Sequence, residues 1–114
     1  MQSDTIFRTP ESRFTGLKDY PFQSHFISVN NLRIHYIDEG PPDKWPVLLL
    51  HGVPAWSYLY RHLIRLISDA GIRVVAPDLI GFGKSDKPGE KEAYTYQSHV
   101  EWISGFIFTL KLKN

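Results

Sequence analysis

His51 and Gly52 follow Leu48, Leu49 and Leu50 and lead into Val53-Pro54-Ala55-Trp56, within the segment LLLHGVPAWSYLYRHL. Open α/β sheets bind ligands outside the carboxyl ends of their strands, which is where such an exit lies. Gly52 lets the backbone approach a ligand closely. Pro54 fixes the direction of the chain. Val53 keeps a backbone N–H that can face a developing negative charge. A tight strand-to-helix turn with no ligand fits the same spacing equally well, because turn glycines and prolines at helix starts are routine.

The second polar segment is DLIGFGKSDKP, from Asp78 to Pro88. It invites two phosphate-binding readings, and both fail. A P-loop needs Gly five residues before Gly83, where Asp78 stands. A dinucleotide fingerprint needs a third Gly after Gly81 and Gly83, where Asp86 stands. Asp78, Ser85 and Asp86 are therefore expected to be hydrogen-bonding scaffold at the sheet edge that carries His51. No G-x-S-x-G nucleophile elbow occurs, and Ser104-Gly105 falls in a helical stretch. His25, His35, His51, His62 and His99 show no metal-ligand spacing. His62 and His99 are expected on helix surfaces, and His35 in a structural role. Trp56, Tyr58 and Tyr60 are expected to pack. The chain contains no cysteine, which excludes thiolate catalysis, disulfides and Cys-type zinc sites. No cofactor and no metal is expected.

These residues must be positioned by a single domain at most, since the chain has 114 residues. Residues 1–23 are polar and broken by Pro10 and Pro21, and read as an irregular N-terminal arm; residues 24–114 read as the core. HFISVNNLRIHYIDEG predicts a hairpin about Asn30-Asn31, because Asn tolerates positive φ. Val47 to Leu50 predicts a strand buried on both faces. WSYLYRHLIRLISDAG predicts a helix with Leu59, Leu63, Leu66, Ile67 and Ala70 on one face and Gly71 as its C′ residue. IRVVAPDL predicts a second buried strand, ended by Pro77. Thr95 is placed to cap a last helix with Val100, Ile103, Phe106, Ile107 and Leu110 in phase. The order is an antiparallel hairpin and then β-α-β-α, with a right-handed parallel crossover.

A formal net charge of +1 with scattered basic residues implies neither a nucleic-acid nor an anionic-membrane partner. The N-terminus has no signal-peptide pattern and no apolar run reaches a membrane span, so a cytoplasmic location is expected.

HGVPAWSYLYRHL with RVVAPDLIGFGKSDKP resembles the haloalkane dehalogenases of the α/β-hydrolase superfamily. RTPESRFTGLKDYPF, Arg8 to Phe22, is similar to the N-terminal arm of one branch of them. YTYQSHVEWI, Tyr94 to Ile103, resembles the helix before their nucleophile strand. The resemblance implies the N-terminal half of an α/β-hydrolase sheet, ending before that strand and the cap domain. In that family an Asp displaces halide and forms an alkyl ester, which a His-activated water hydrolyses. Two backbone N–H groups hold the oxyanion. By resemblance Val53 supplies one of them, shaped by His51, Gly52, Pro54 and Trp56. Many members carry Asn after His-Gly, and the branch with this arm more often Glu; the Val53 side chain cannot hold halide. The nucleophile, base, acid and cap would follow Asn114. Dehalogenase turnover is therefore not expected of this chain, and a small halogenated or apolar substrate is expected only once those parts are supplied. Epoxide or ester hydrolysis is the alternative chemistry. A non-catalytic fragment that self-associates through an exposed sheet edge is the alternative class.

Overall fold

A computed structural model describes residues 6–51 and 56–110. The chain forms a short strand β1 (Ile6–Phe7), a hairpin of β2 (His25–Val29) and β3 (Leu32–Glu39), and β4 (Pro46–Leu48). Helix α1 (Arg61–Asp69), β5 (Arg73–Pro77), β6 (Lys87–Pro88) and α2 (Tyr96–Thr109) follow. The main sheet runs in the order β2-β3-β5-β4. β2 and β3 are antiparallel, β3 and β5 are antiparallel, and β4 and β5 are parallel.

The hairpin follows from its turn. Asn30 and Asn31 have φ of 51° and 67°, and they place Val29 opposite Leu32. Positive φ at both central residues matches the twist of the flanking strands. Successive β5 residues then point to opposite faces. Val75 joins a cluster of Val29, Leu32, Ile34, Ile80, Trp102 and Phe106, which packs α2 on one face. Val74 and Ala76 join Tyr20, Ile37 and Ile64, which packs α1 on the other.

Both helices end as their sequences dictate. Gly71, at φ 83°, donates its N–H to the Ser68 carbonyl, and Ile72 donates to Ile67. That paired closure absorbs two carbonyls that the helix leaves open. Thr95 Oγ1 accepts the Ser98 N–H at 2.9 Å. Thr95→Ala is expected to cost about 1 kcal/mol, read as a lower urea midpoint with unchanged slope. Gly105 lets α2 lie close on the hairpin, since a Cβ there would sit 2.5 Å from Val29 Cγ1.

Three expectations are corrected. β4 is not buried on both faces: Val47 is 40% exposed and Leu50 45%. It stands at the sheet margin, with β5 as its one ladder partner among the described residues. The packed stripe of α1 is Tyr60, Ile64 and Ile67, while Leu59, Leu63 and Leu66 are exposed. The two stripes differ by one residue, about 100° around a helix. The side that meets β5 is fixed by the entry turn Ser57–Tyr60, a 3-10 turn whose Ser57 is buried. In α2, Trp102 is buried and Val100 is 40% exposed, so Trp102 takes the core place assigned to Val100.

The arm is also more ordered than its composition suggests. β1 pairs antiparallel with β6, Ile6 opposite Pro88 and Phe7 opposite Lys87. A 3-10 turn follows at Glu11–Phe14. Arg8 grips the Asp86 carboxylate through Nε and through Nη2, the latter at 3.1 Å. No described helix is long and apolar enough to cross a membrane.

Candidate functional site

Gly52, Val53 and Pro54 lie outside the described residues, so the site is defined by its two flanks. His51, at the near flank, is buried, and its Nε2 accepts the Leu79 N–H at 2.9 Å. An accepting Nε2 leaves the ring proton on Nδ1. The His51 ring stands edge-on to Phe82 at 5.6 Å. At the far flank the Ser57 N–H donates to Asp78 Oδ1 at 2.6 Å. Both ends of the turn are thus tied to two consecutive residues, Asp78 and Leu79, at the exit of β5.

Asp78 is the hub of this arrangement. Its Oδ2 meets His35 Nδ1 at 2.8 Å and accepts the Lys84 N–H at 3.0 Å. Its own N–H donates to the His35 carbonyl at 2.8 Å, and its carbonyl accepts the Ser85 hydroxyl at 2.6 Å. Complete burial alone would raise the carboxyl pKa. His35 and the N–H groups of Lys84 and Ser57 outweigh it and hold the pKa below the ordinary value. Asp78 is therefore a fixed negative charge at the far flank, against the Ser57 N–H. Gly83 at φ 54° is required against it, because a Cβ there would lie 2.5 Å from Asp78 Oδ2 and 2.8 Å from Trp56 Cβ.

Asp86 closes the other end of the same loop. It accepts from Arg8 and from the Arg33 N–H, and its own N–H donates to the Arg33 carbonyl at 2.8 Å. Burial raises its pKa, and Arg8 and the Arg33 N–H lower it further than that, leaving it below the ordinary value. Asp78, Ser85 and Asp86 are thus hydrogen-bonded into the loop and the strand exits, as expected.

Trp56 lies against Phe14 at 5.2 Å, Tyr20 at 5.5 Å and Tyr58 at 5.6 Å. Its packing carries the far flank of the turn onto the arm. Tyr20 adds a hydrogen bond between its hydroxyl and Ser57 Oγ at 2.5 Å. Burial pushes the Tyr20 phenol pKa above the ordinary tyrosine value, so the hydroxyl stays neutral. His62 is exposed, as expected. His99 is not a surface residue: it is half-buried, stacks on Tyr94 and meets Trp102 edge-on at 5.1 Å. With Gly81, Phe82 and Tyr94 it lines a cavity of about 280 Å³. Burial, with His51 nearby, keeps the His99 pKa below the ordinary histidine value.

Arg8, Tyr20 and Ser57 were not singled out by sequence reasoning. Arg8 meets a partner 78 residues away, and no local pattern signals such a pair. Among the described residues no group of three or more His, Cys, Asp or Glu side chains is placed to hold a metal ion.

Comparison with known proteins places this geometry. The family defined by the alpha/beta hydrolase fold matches residues 46–114. The chain is 54% identical to a haloalkane dehalogenase of Mycolicibacterium paratuberculosis and to one of Psychrobacter cryohalolentis, in each case over 96% of the chain and 38% of the relative. Among solved structures, a tetrameric haloalkane dehalogenase from Paraglaciecola agarilytica superposes with a TM-score of 0.92 at 47% identity, over 96% of this chain and 38% of that one. An epoxide hydrolase of Vigna radiata superposes with a TM-score of 0.72 at 34% identity, over 79% and 29%. The chain thus spans 38% of the length of the curated relatives it matches. The match to the fold over most of its length, the mixed sheet and the strand exits at His51 and Asp78 make the chain a member of the α/β-hydrolase fold family.

Proposed function

We propose that the chain supplies the N-terminal part of a haloalkane dehalogenase-like hydrolase, with the Val53 N–H as one of two oxyanion donors. The observation that carries this reading is the pinning of the turn by His51 on Leu79 and by Ser57 on Asp78. An oxyanion donor acts by being aimed before the reaction starts, so that no reorganisation is needed as charge develops. Hydrogen bonds on both flanks, one of them accepted by a buried carboxylate, fix the two points between which residues 52–55 run. By the same reading Gly52 and Pro54 are the residues that would shape this segment, and Trp56 packs the far flank against the arm.

In the proposed reaction a carboxylate from the remainder of the enzyme displaces halide from a small haloalkane and forms an ester. Water activated by a His attacks the ester carbonyl, and the negative charge that gathers on its oxygen is met by the Val53 N–H. Val53 offers no side-chain donor to the departing halide, so halide is held by groups outside this chain. Identity of 54% to dehalogenases against 34% to the epoxide hydrolase favours carbon–halogen cleavage over epoxide opening. Bromide release from a short bromoalkane tests the reading. None is expected from the chain alone, and release is expected once it is joined to the C-terminal part of a dehalogenase relative.

A further inference from the structure

A second constellation lies on the other side of Asp78. Ser24 stands directly before β2 and is partly exposed, whereas His35 in β3 and Asp78 at the exit of β5 are fully buried. Ser24 Oγ lies 3.2 Å from His35 Nε2, and His35 Nδ1 lies 2.8 Å from Asp78 Oδ2. An ionised carboxylate only accepts, so Asp78 places the ring proton on Nδ1 and leaves Nε2 to accept the Ser24 hydroxyl proton. That is the tautomer a general base beside a nucleophilic serine requires. The Lys84 ammonium lies 2.9 Å from the same Ser24 oxygen, with 9% of its side chain exposed and Glu11 at 3.2 Å on its far side. A cation bonded to that oxygen favours its deprotonated form and can bond an oxyanion built on it.

The neighbouring buried serines are wired differently. Ser57 Oγ bonds the Tyr20 hydroxyl, and Ser85 Oγ donates to the Asp78 carbonyl. Ser24 is the one described serine whose hydroxyl rests on an imidazole nitrogen, and it is the member of the three that solvent reaches. The absence of a G-x-S-x-G elbow does not bear on it, because such a constellation is recognised by geometry and roles. The fold thus brings together a serine, an imidazole and a carboxylate in one hydrogen-bonded row that the sequence did not reveal.

We propose that Ser24 is a nucleophile activated by His35 and Asp78, which takes acyl or phosphonyl groups from small activated esters and phosphonyl fluorides. His35 Nε2 removes the hydroxyl proton as Oγ bonds to the acyl carbon. The tetrahedral intermediate then expels the alcohol or phenol oxygen, which leaves with the proton returned by His35; with a phosphonyl fluoride Oγ bonds to phosphorus instead, the P–F bond breaks, and fluoride leaves with the serine proton held on His35. Water deprotonated by the same nitrogen attacks the acyl-Ser24 ester, releases the carboxylic acid and restores the serine. This site shares Asp78 with the flank of residues 52–55, through its other carboxylate oxygen, but its chemistry does not use Val53 and stands whether or not the dehalogenase reading does.

The whole chain, treated with an alkyl fluorophosphonate and separately with 4-nitrophenyl acetate, provides the test. The expected result is a single phosphonyl group on Ser24 by peptide mass spectrometry, a burst of 4-nitrophenolate, and loss of both in urea. Ser24→Ala abolishes labelling, and Ser68→Ala, partly exposed near the end of α1, leaves it unchanged. His35→Gln slows labelling by about 10²–10⁴-fold. Lys84→Met, which leaves the buried pair intact, slows it at least about tenfold while circular dichroism stays native, so the test survives unfolding of the His35 variant. A folded chain that takes no label, a label on another residue, or a Ser24 label unaffected by urea and by Lys84→Met overturns the proposal.

Discussion

Asp78→Ala is expected to destabilise the fold by about 3–5 kcal/mol. The change removes one carboxylate and leaves three donors without their acceptor: the Ser57 N–H, the Lys84 N–H and His35 Nδ1. Each lies in or beside a buried site, where an unsatisfied polar group costs about 1–3 kcal/mol. The loss is a large share of the total for a small domain, which is typically about 5–15 kcal/mol. In urea, where such domains lose about 1–3 kcal/mol per molar, the midpoint should fall by roughly 2 M. A shift within the usual range of a surface change, about 0.5 kcal/mol, would show that Asp78 is not the hub.

The same carboxylates predict the pH response. Asp78 and Asp86 have lower pKa values folded than unfolded. In acid the unfolded chain therefore binds more protons than the folded one, and stability rises with pH through that range. The contribution is complete above the ordinary aspartate value, about 3.9, and is lost as pH falls below it toward the folded values. Acid unfolding followed by circular dichroism should steepen below about pH 4. Asp78→Asn should be less stable than the wild type at neutral pH and should decline less between neutral pH and acid. Parallel curves for the two proteins would contradict this.

The second large effect concerns catalysis. Val53→Pro is expected to lower kcat about 10²–10³-fold in a chain completed with the C-terminal part of a dehalogenase relative. That is the loss seen when a single oxyanion donor is removed. Proline takes away the N–H and also fixes φ at residue 53 and restricts Gly52, so native circular dichroism of the variant is part of the measurement; the Val53 side chain itself has no donor to lose. Val53→Ala keeps the N–H and should change kcat by less than about tenfold. Equal losses in both variants would mean that the Val53 side chain, not its backbone, matters.

Much of the scaffold was legible because its signals are local. Asn30-Asn31 specified a two-residue turn, Gly71 and Thr95 specified helix ends, and the unbroken apolar run Val74-Val75-Ala76 specified a buried central strand. The misread features depend on partners far along the chain. The face of α1 is set by the buried entry at Ser57 and by docking on β5, and the sequence offers two apolar stripes one residue apart. The exposure of β4 depends on what lies beside it, which the apolar run Val47 to Leu50 does not encode. The arm looked irregular because its order comes from pairing with Lys87 and Pro88 and from Arg8 on Asp86. At the site, His51 and Asp78 were legible as residues of the strand exits. Their joint hold on both flanks of the turn was not, since it relies on the backbone N–H groups of Leu79 and Ser57, which any residue would present.

Bromide release from a short bromoalkane, measured for this chain alone and for the chain joined to the C-terminal part of the Paraglaciecola agarilytica dehalogenase, tests the account most directly. No release above buffer is expected from the chain alone, and steady turnover is expected from the joined protein. Turnover by the chain alone, or a joined protein that folds and releases no bromide, would contradict it.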